Sequence, residues 1–133
     1  MEVDRIDEGR GRVPDEAPRW FQGEARIQPL ASPFAGAEGG PAVFAVHFPA
    51  GVRTRPHVHA AGQLLHIVAG RGLVGTAEGR QEVSPGDVVA TMPGEWHWHG
   101  ATPGSAMSHL TVQVGGDHID WDVEEKDWAD GYG

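Results

Sequence analysis

The chain reads as a single all-β domain, an antiparallel sandwich or barrel, and three observations carry that reading. Short β-rich runs recur at regular spacing, turn residues punctuate them, and no segment between them has a helical period. The length of 133 residues leaves room for one domain. Twenty Gly and ten Pro make it turn-rich, while 39% hydrophobic residues and five Trp supply a packed core.

Residues 1–19 are charged, contain Gly and Pro and lack an apolar period, so they form a loosely structured arm, with the folded domain spanning residues 20–133. Residues 20–30 offer Trp20, Phe21, Ile27 and Leu30 for one strand, and a Pro/Gly/Ala loop follows over 32–41. Strands are then expected at 42–48, 63–69, 72–77, 80–83, 87–92 and 106–114. Turns fall between them at Pro49-Ala50-Gly51, Gly70-Arg71-Gly72, Glu78-Gly79-Arg80, Ser84-Pro85-Gly86 and Pro93-Gly94. Gly70-Arg71-Gly72 lacks the third Gly and the helix of a dinucleotide fingerprint and is expected to be a hairpin turn. In the acidic tail, Trp121, Val123 and Trp128 suit a short helical turn or a covering strand.

The net charge is −9, and Lys126 is the one lysine, so no basic surface exists to neutralise nucleic-acid phosphates or anionic membranes. No apolar run reaches the ~18–20 residues of a spanning helix, and the N-terminus is charged where a signal peptide is apolar. A cytoplasmic location is the expectation. Without Cys there is no disulfide and no thiolate, so a metal would be held by imidazole, carboxylate or amide.

Eight histidines include two His-x-His pairs, His57-Val58-His59 and His97-Trp98-His99. Residues two apart on an extended chain share a face, so each pair projects together. The first pair's parity continues through Ala61, Gln63, Leu65, Ile67 and Ala69, and His109, Thr111 and Gln113 share a parity further on. If these faces line one interior, it holds His57, His59, Gln63, His97, His99 and His109, a site for Mn, Fe, Co, Ni, Cu or Zn. His47 and His66 fall out of phase, and with His118 they read as hydrogen-bonded structural residues. Trp96 and Trp98 are expected to pack a barrel rim. Leu64 and Val68 form an apolar face opposite the ligands that requires a second sheet or another subunit.

Gly51-x5-His57-x-His59-x3-Gln63-x6-Gly70 resembles the first motif of the cupins, and Gly86-Asp87 with Pro93-Gly94-x2-His97 resembles the second. Gln63 stands where the first motif usually has Glu, and Trp98-His99-Gly100-Ala101 follows His97 where Asn usually closes the second. Those departures, with Trp20-Phe21-x-Gly23 and Ile119-Asp120-Trp121, are similar to small bacterial cupins with manganese-dependent (R)-selective hydroxynitrile lyase activity. The resemblance implies a jelly-roll-like cupin barrel, a homodimer or dimer of dimers, and His57, His59, Gln63 and His97 as metal ligands. It implies Mn(II) first, with Fe(II), Ni(II) or Zn(II) as alternatives. It also places His109 and Gln113 beside the pocket, with Phe44 and Val46 in its wall.

Three imidazoles and an amide carry no formal charge, so a bound dication keeps its full +2 and favours Lewis-acid chemistry on a small hydroxy or carbonyl compound. For cyanohydrin cleavage, His109 is the first candidate base, His99 receives or orients the cyanide and Gln113 holds it. Phe44, Val46, Phe48, Leu65 and Ile67 supply an apolar wall, which implies a substrate with an apolar group and one oxygen handle. Two other readings remain open: an Fe(II)-dependent cupin dioxygenase at the same ligands, and a non-enzymatic cupin that binds a small molecule.

Overall fold

In the computed structural model, which describes residues 1–34 and 39–130, burial alternates along the two long strands at 63–70 and 107–114 and sorts their side chains between an interior and an outer surface. The strands are β1 (Arg26–Pro29), β2 (Pro41–Phe48), β3 (Val58–His59), β4 (Gln63–Gly70), β5 (Gly72–Thr76), β6 (Gly79–Val83), β7 (Val88–Thr91), β8 (His97–Ala101), β9 (Met107–Val114) and β10 (Ile119–Asp120). They form a five-stranded sheet β1-β2-β9-β4-β7, a three-stranded sheet β6-β5-β8 and the pair β10-β3. Every pairing is antiparallel. Val46, Phe48, Ile67 and Met107 of the larger sheet share a core with Val83 and Ala101 of the smaller one, which is the two-layer solution for strands with one apolar face.

The strands expected between residues 42 and 114 form within a residue or two of their expected bounds, and residues 58–59, 97–101 and 119–120 add β3, β8 and β10. Of the loop expected over 32–41, residues 35–38 lie outside those described, and 32–34 make a 3₁₀ turn. The register places the site's side chains in rows across the large sheet: Val46 and Ile67 flank His109, and Phe44 and Leu65 flank Thr111.

Three local readings are corrected. Gly70-Arg71-Gly72 is no hairpin: β4 pairs with β7 and β9 while β5 pairs with β6 and β8, so the chain changes sheets there. Gly70 has φ +75°, and a Cβ on it would collide with the Ala106 carbonyl, which explains why glycine is needed at this corner. The inward parity of β4 holds through Ile67 and then breaks at a bulge before Ala69, which is exposed. Residues 20–30 do not make one strand, because Ala17–Trp20 forms a helical turn and the strand starts only at Arg26.

The arm is tied down by hydrogen bonds that its lack of apolar period does not announce. Arg12 bridges Ile27 with N–H···O distances of 3.0 and 2.8 Å. The Gln28 amide donates to the Arg5 carbonyl at 2.8 Å and accepts from the Asp7 N–H at 3.0 Å. The Arg12–Ile27 bonds occupy part of the β1 edge that would otherwise be open to another strand. In the tail, a 3₁₀ turn over Trp128–Asp130 buries Trp128, whose indole N–H donates to the Thr54 carbonyl at 3.0 Å. The Arg53 guanidinium lies 4.3 Å from that ring.

No helix among the described residues is long and apolar enough to cross a membrane. The outer face of the large sheet is left uncovered by the smaller sheet, with Leu64 40% exposed and Val88 60%.

Candidate metal centre

Backbone pairing brings the two His-x-His segments together. His57 and His97 exchange N–H···O bonds of 3.0 and 3.1 Å, and His59 pairs with Ile119 of β10. Glycine makes a second close approach here: a Cβ on Gly100 would strike the Arg53 backbone, so only glycine lets residues 53–54 lie against β8. The His57 and His97 rings are 4.3 Å apart between centroids, and His57 and His59 are 5.1 Å apart. One ring nitrogen from each of His57, His59 and His97 falls within 4.8 Å of the others, and all three residues are buried.

Each ring has its outer nitrogen engaged. Nδ1–H of His57 donates to the Arg55 carbonyl at 2.8 Å, that of His97 to the Glu95 carbonyl at 2.9 Å, and that of His59 to the Asp117 carboxylate at 3.0 Å. This leaves Nε2 as the free lone pair on each ring. The Gln63 amide nitrogen donates to Gln113 Oε1 at 3.1 Å. His59 Nε2, His97 Nε2 and Gln63 Oε1 are then buried with no hydrogen-bond partner. Burial also keeps the rings neutral: it is the main cause that holds the pKa of His57 well below the ordinary value, lowers that of His59 and brings His97 to about 4. Neutral imidazoles with bare lone pairs are what a transition metal binds.

A second histidine pair sits beside the first. His99 Nδ1 and His109 Nε2 are 3.0 Å apart, and His109 Nδ1 is 3.1 Å from the Thr111 hydroxyl. His99 Nε2 is buried without a partner. Desolvation is again the leading cause of depression, well below the ordinary value for His99 and to about 3 for His109.

A cavity of about 280 Å³ opens onto this constellation. Its polar end holds His57, His59, Gln63, His99, Thr111 and Gln113, and Trp20, Phe21, Ile27, Phe44, Val46, Ile119 and Trp121 make its apolar walls. No cationic side chain lines it. Phe44, Val46, His99 and Gln113 thus lie where the sequence placed them. His109 is fully buried behind His99 instead of in the wall. Phe48 and Ile67 belong to the core between the sheets, and Leu65 lines a separate cavity of about 70 Å³ beyond His97 and His99. Their inward parity is right, but they lie too far along their strands from the mouth. Alternation gives a side chain's face and not its depth. Parity also could not find Trp20, Trp121 or Asp117, which come from the arm junction and the tail. Trp121 stacks on His57 at 4.2 Å and on Trp20 at 6.1 Å.

His47 behaves as a structural residue, with its ring nitrogens 2.7 Å from the Ser108 hydroxyl and 3.0 Å from Gln28 Oε1. Trp98 packs over Gly75 of β5, where a Cβ would meet the indole.

Two facing antiparallel sheets with a buried three-histidine cluster at one end define a small β-barrel whose cluster could hold a metal ion. The chain belongs to the cupin family, whose cupin-domain model matches residues 44–114. It is 40% identical over 126 residues to an (R)-mandelonitrile lyase of Granulicella tundricola, covering 91% of this chain and 92% of the relative. Among solved structures it resembles a cupin-like protein of Thermotoga maritima, with TM-score 0.80, 27% identity and coverage of 97% and 95% of the two chains. A polyketide cyclase of Streptomyces resistomycificus, at TM-score 0.72 and 17% identity over 97% and 94%, shares the fold.

Proposed function

We propose that the chain is a metal-dependent cupin enzyme of hydroxynitrile lyase type, cleaving and forming the C–C bond between a carbonyl carbon and cyanide. The observation that carries this reading is the set of neutral donors with bare lone pairs at the polar end of an apolar cavity. The relative named as an (R)-mandelonitrile lyase supports it. His57, His59, Gln63 and His97 would hold the ion, with Mn(II) as the proposed metal. A dication there supplies a Lewis acid that lowers the pKa of a substrate hydroxyl.

The cavity wall fixes the rest of the substrate. Trp20, Phe44, Val46 and Trp121 enclose an apolar group. His99 is the base, because its Nε2 is bare and it lines the cavity. It takes the hydroxyl proton as the C–C bond breaks, leaving aldehyde and cyanide, and returns that proton to cyanide so that hydrogen cyanide departs. His109 and Thr111 support His99 from behind by accepting or relaying the proton on Nδ1. The Gln113 amide, which lines the cavity and accepts from Gln63, would donate to the cyanide nitrogen.

The test is turnover of mandelonitrile by protein reconstituted with Mn(II), assayed with and without oxygen. Equal release of benzaldehyde in both is the expected result. Loss of activity without oxygen would indicate a dioxygenase, and release of the ligand unchanged would indicate a binding protein. A second copy of the chain is proposed to cover the outer face of the large sheet.

A further inference from the structure

Asp117 is a buried acid that this chemistry leaves unused. Its side chain is 1% exposed, in the turn between β9 and β10. One carboxylate oxygen accepts from the Ala61 N–H at 2.9 Å and the other from His59 Nδ1–H at 3.0 Å. The backbone holds it there: Asp117 N–H donates to the Val114 carbonyl at 3.1 Å, and Ala60 N–H donates to the His118 carbonyl at 3.0 Å.

The three cluster histidines are oriented in different ways. His57 and His97 rest on neutral carbonyls, whereas His59 rests on a carboxylate. We infer that Asp117 is a positioning residue for the metal centre: it fixes His59 as the Nδ1–H tautomer with its Nε2 lone pair toward the ion, and sets one negative charge an imidazole's width from an otherwise neutral ligand set. The inference rests on the metal-binding part of the proposal above and not on the reaction. A carboxylate behind a ligating histidine raises the basicity of the ring and locks its orientation. Three imidazoles and an amide leave the ion fully electrophilic but bind it weakly. Asp117 restores affinity through His59 while occupying no coordination position, so the sites open to substrate are unchanged.

A purely structural role, tying the β9–β10 turn to Ala61, would make different demands on the chemistry. In Asp117→Asn the amide oxygen can still accept from Ala61 N–H, but the NH₂ then points at His59 Nδ1. The donor direction reverses, and His59 is driven to the Nε2–H tautomer, which faces the metal with a proton. In chelator-treated protein, long-range ¹H–¹⁵N NMR is expected to show His59 protonated on Nδ1 in the wild type and on Nε2 in Asp117→Asn, with His57 and His97 unchanged. Mn(II) titration followed by EPR is expected to give a Kd about 10–100-fold weaker in the variant. Wild-type Mn(II) affinity in Asp117→Asn would overturn the inference. So would an Nε2–H tautomer of His59 in the wild type, a measurement that decides the matter even if the variant does not fold. Protein that binds Mn(II) normally yet turns over no cyanohydrin would sink the lyase reading and leave this one standing.

Discussion

Gln63 shows how a single side chain sets the character of the centre. A glutamate there would halve the charge of a bound dication, whereas the amide leaves it intact and must instead be turned the right way round. The bond from its Nε2–H to Gln113 Oε1 does the turning, leaving Oε1 bare and buried. Gln113→Leu removes the acceptor, and the Gln63 amide then loses its preferred orientation. The Kd for Mn(II) is expected to weaken by about 10–100-fold, read by EPR titration. The two histidine pairs separate by the same logic. His57→Ala deletes a lone pair from the cluster and is expected to abolish metal retention and lyase turnover together, checked by elemental analysis of purified protein. His99→Phe keeps the cluster and the volume but removes the proposed base, so it is expected to retain metal and lose about 10²–10⁴-fold in kcat. Gln63 was legible in the sequence because parity and the motif agreed on it. Asp117 was not, because its 58-residue separation from His59 closes only when β10 pairs with β3.

At the level of elements, the interior strands could be read and the ends could not. β2, β4 and β9 carry long β-branched and aromatic runs bounded by turn residues, so pattern alone locates them and puts His109, Thr111 and Gln113 on one face. The arm and the tail have no period to read. They are ordered by individual contacts, as Gln28 holds Arg5 and Asp7, and Trp128 holds Thr54. The same blindness hid most of the cavity wall, since Trp20 and Trp121 reach the mouth from those ends. The tail therefore helps to build the cavity: Trp121 covers His57 and lines it. Trp121→Ala removes that aromatic wall while sparing every metal ligand. The KM for mandelonitrile is expected to rise about 10-fold, the equivalent of ~1.4 kcal/mol of lost apolar contact. Mn(II) affinity is expected to stay near the wild-type value. A comparison with a short aliphatic cyanohydrin, whose KM is expected to change less, shows whether the loss lies in the contact with the aryl group.

For the molecule as a whole, two properties follow from what the barrel puts inside and what it leaves outside. Outside, Leu64, Val88 and Val114 are 40, 60 and 43% exposed on one face, and Val112 lies beside Leu64 in the sheet. Pairing of two such faces is the proposed dimer, so Leu64→Glu is expected to convert a dimer to a monomer in sedimentation velocity. Inside, six histidines, His47, His57, His59, His97, His99 and His109, have pKa values lowered mainly by burial. In the unfolded chain each titrates near ~6.5. Below that pH the unfolded state takes up protons that the folded state refuses, so stability must fall as pH falls, and for His109 the loss continues until pH reaches about 3. Above about pH 7 both states are neutral at these rings and the contribution is flat. Each such histidine withdraws at most ~1.4 kcal/mol per pH unit, so two of them over one and a half units remove about 4 kcal/mol, a large share of a domain's ~5–15 kcal/mol. Carboxylates titrate lower, which leaves the interval from about pH 6.5 to 5 to the histidines. The Tm of chelator-treated protein is therefore expected to be level from pH 8 to 7 and to drop steeply between 6.5 and 5. Because burial keeps the folded rings neutral across that interval, saturating Mn(II) is expected to raise the Tm throughout it. A metal-free Tm unchanged across that interval would mean that the rings take up protons as readily in the folded state as in the unfolded one, so that burial does not hold them neutral.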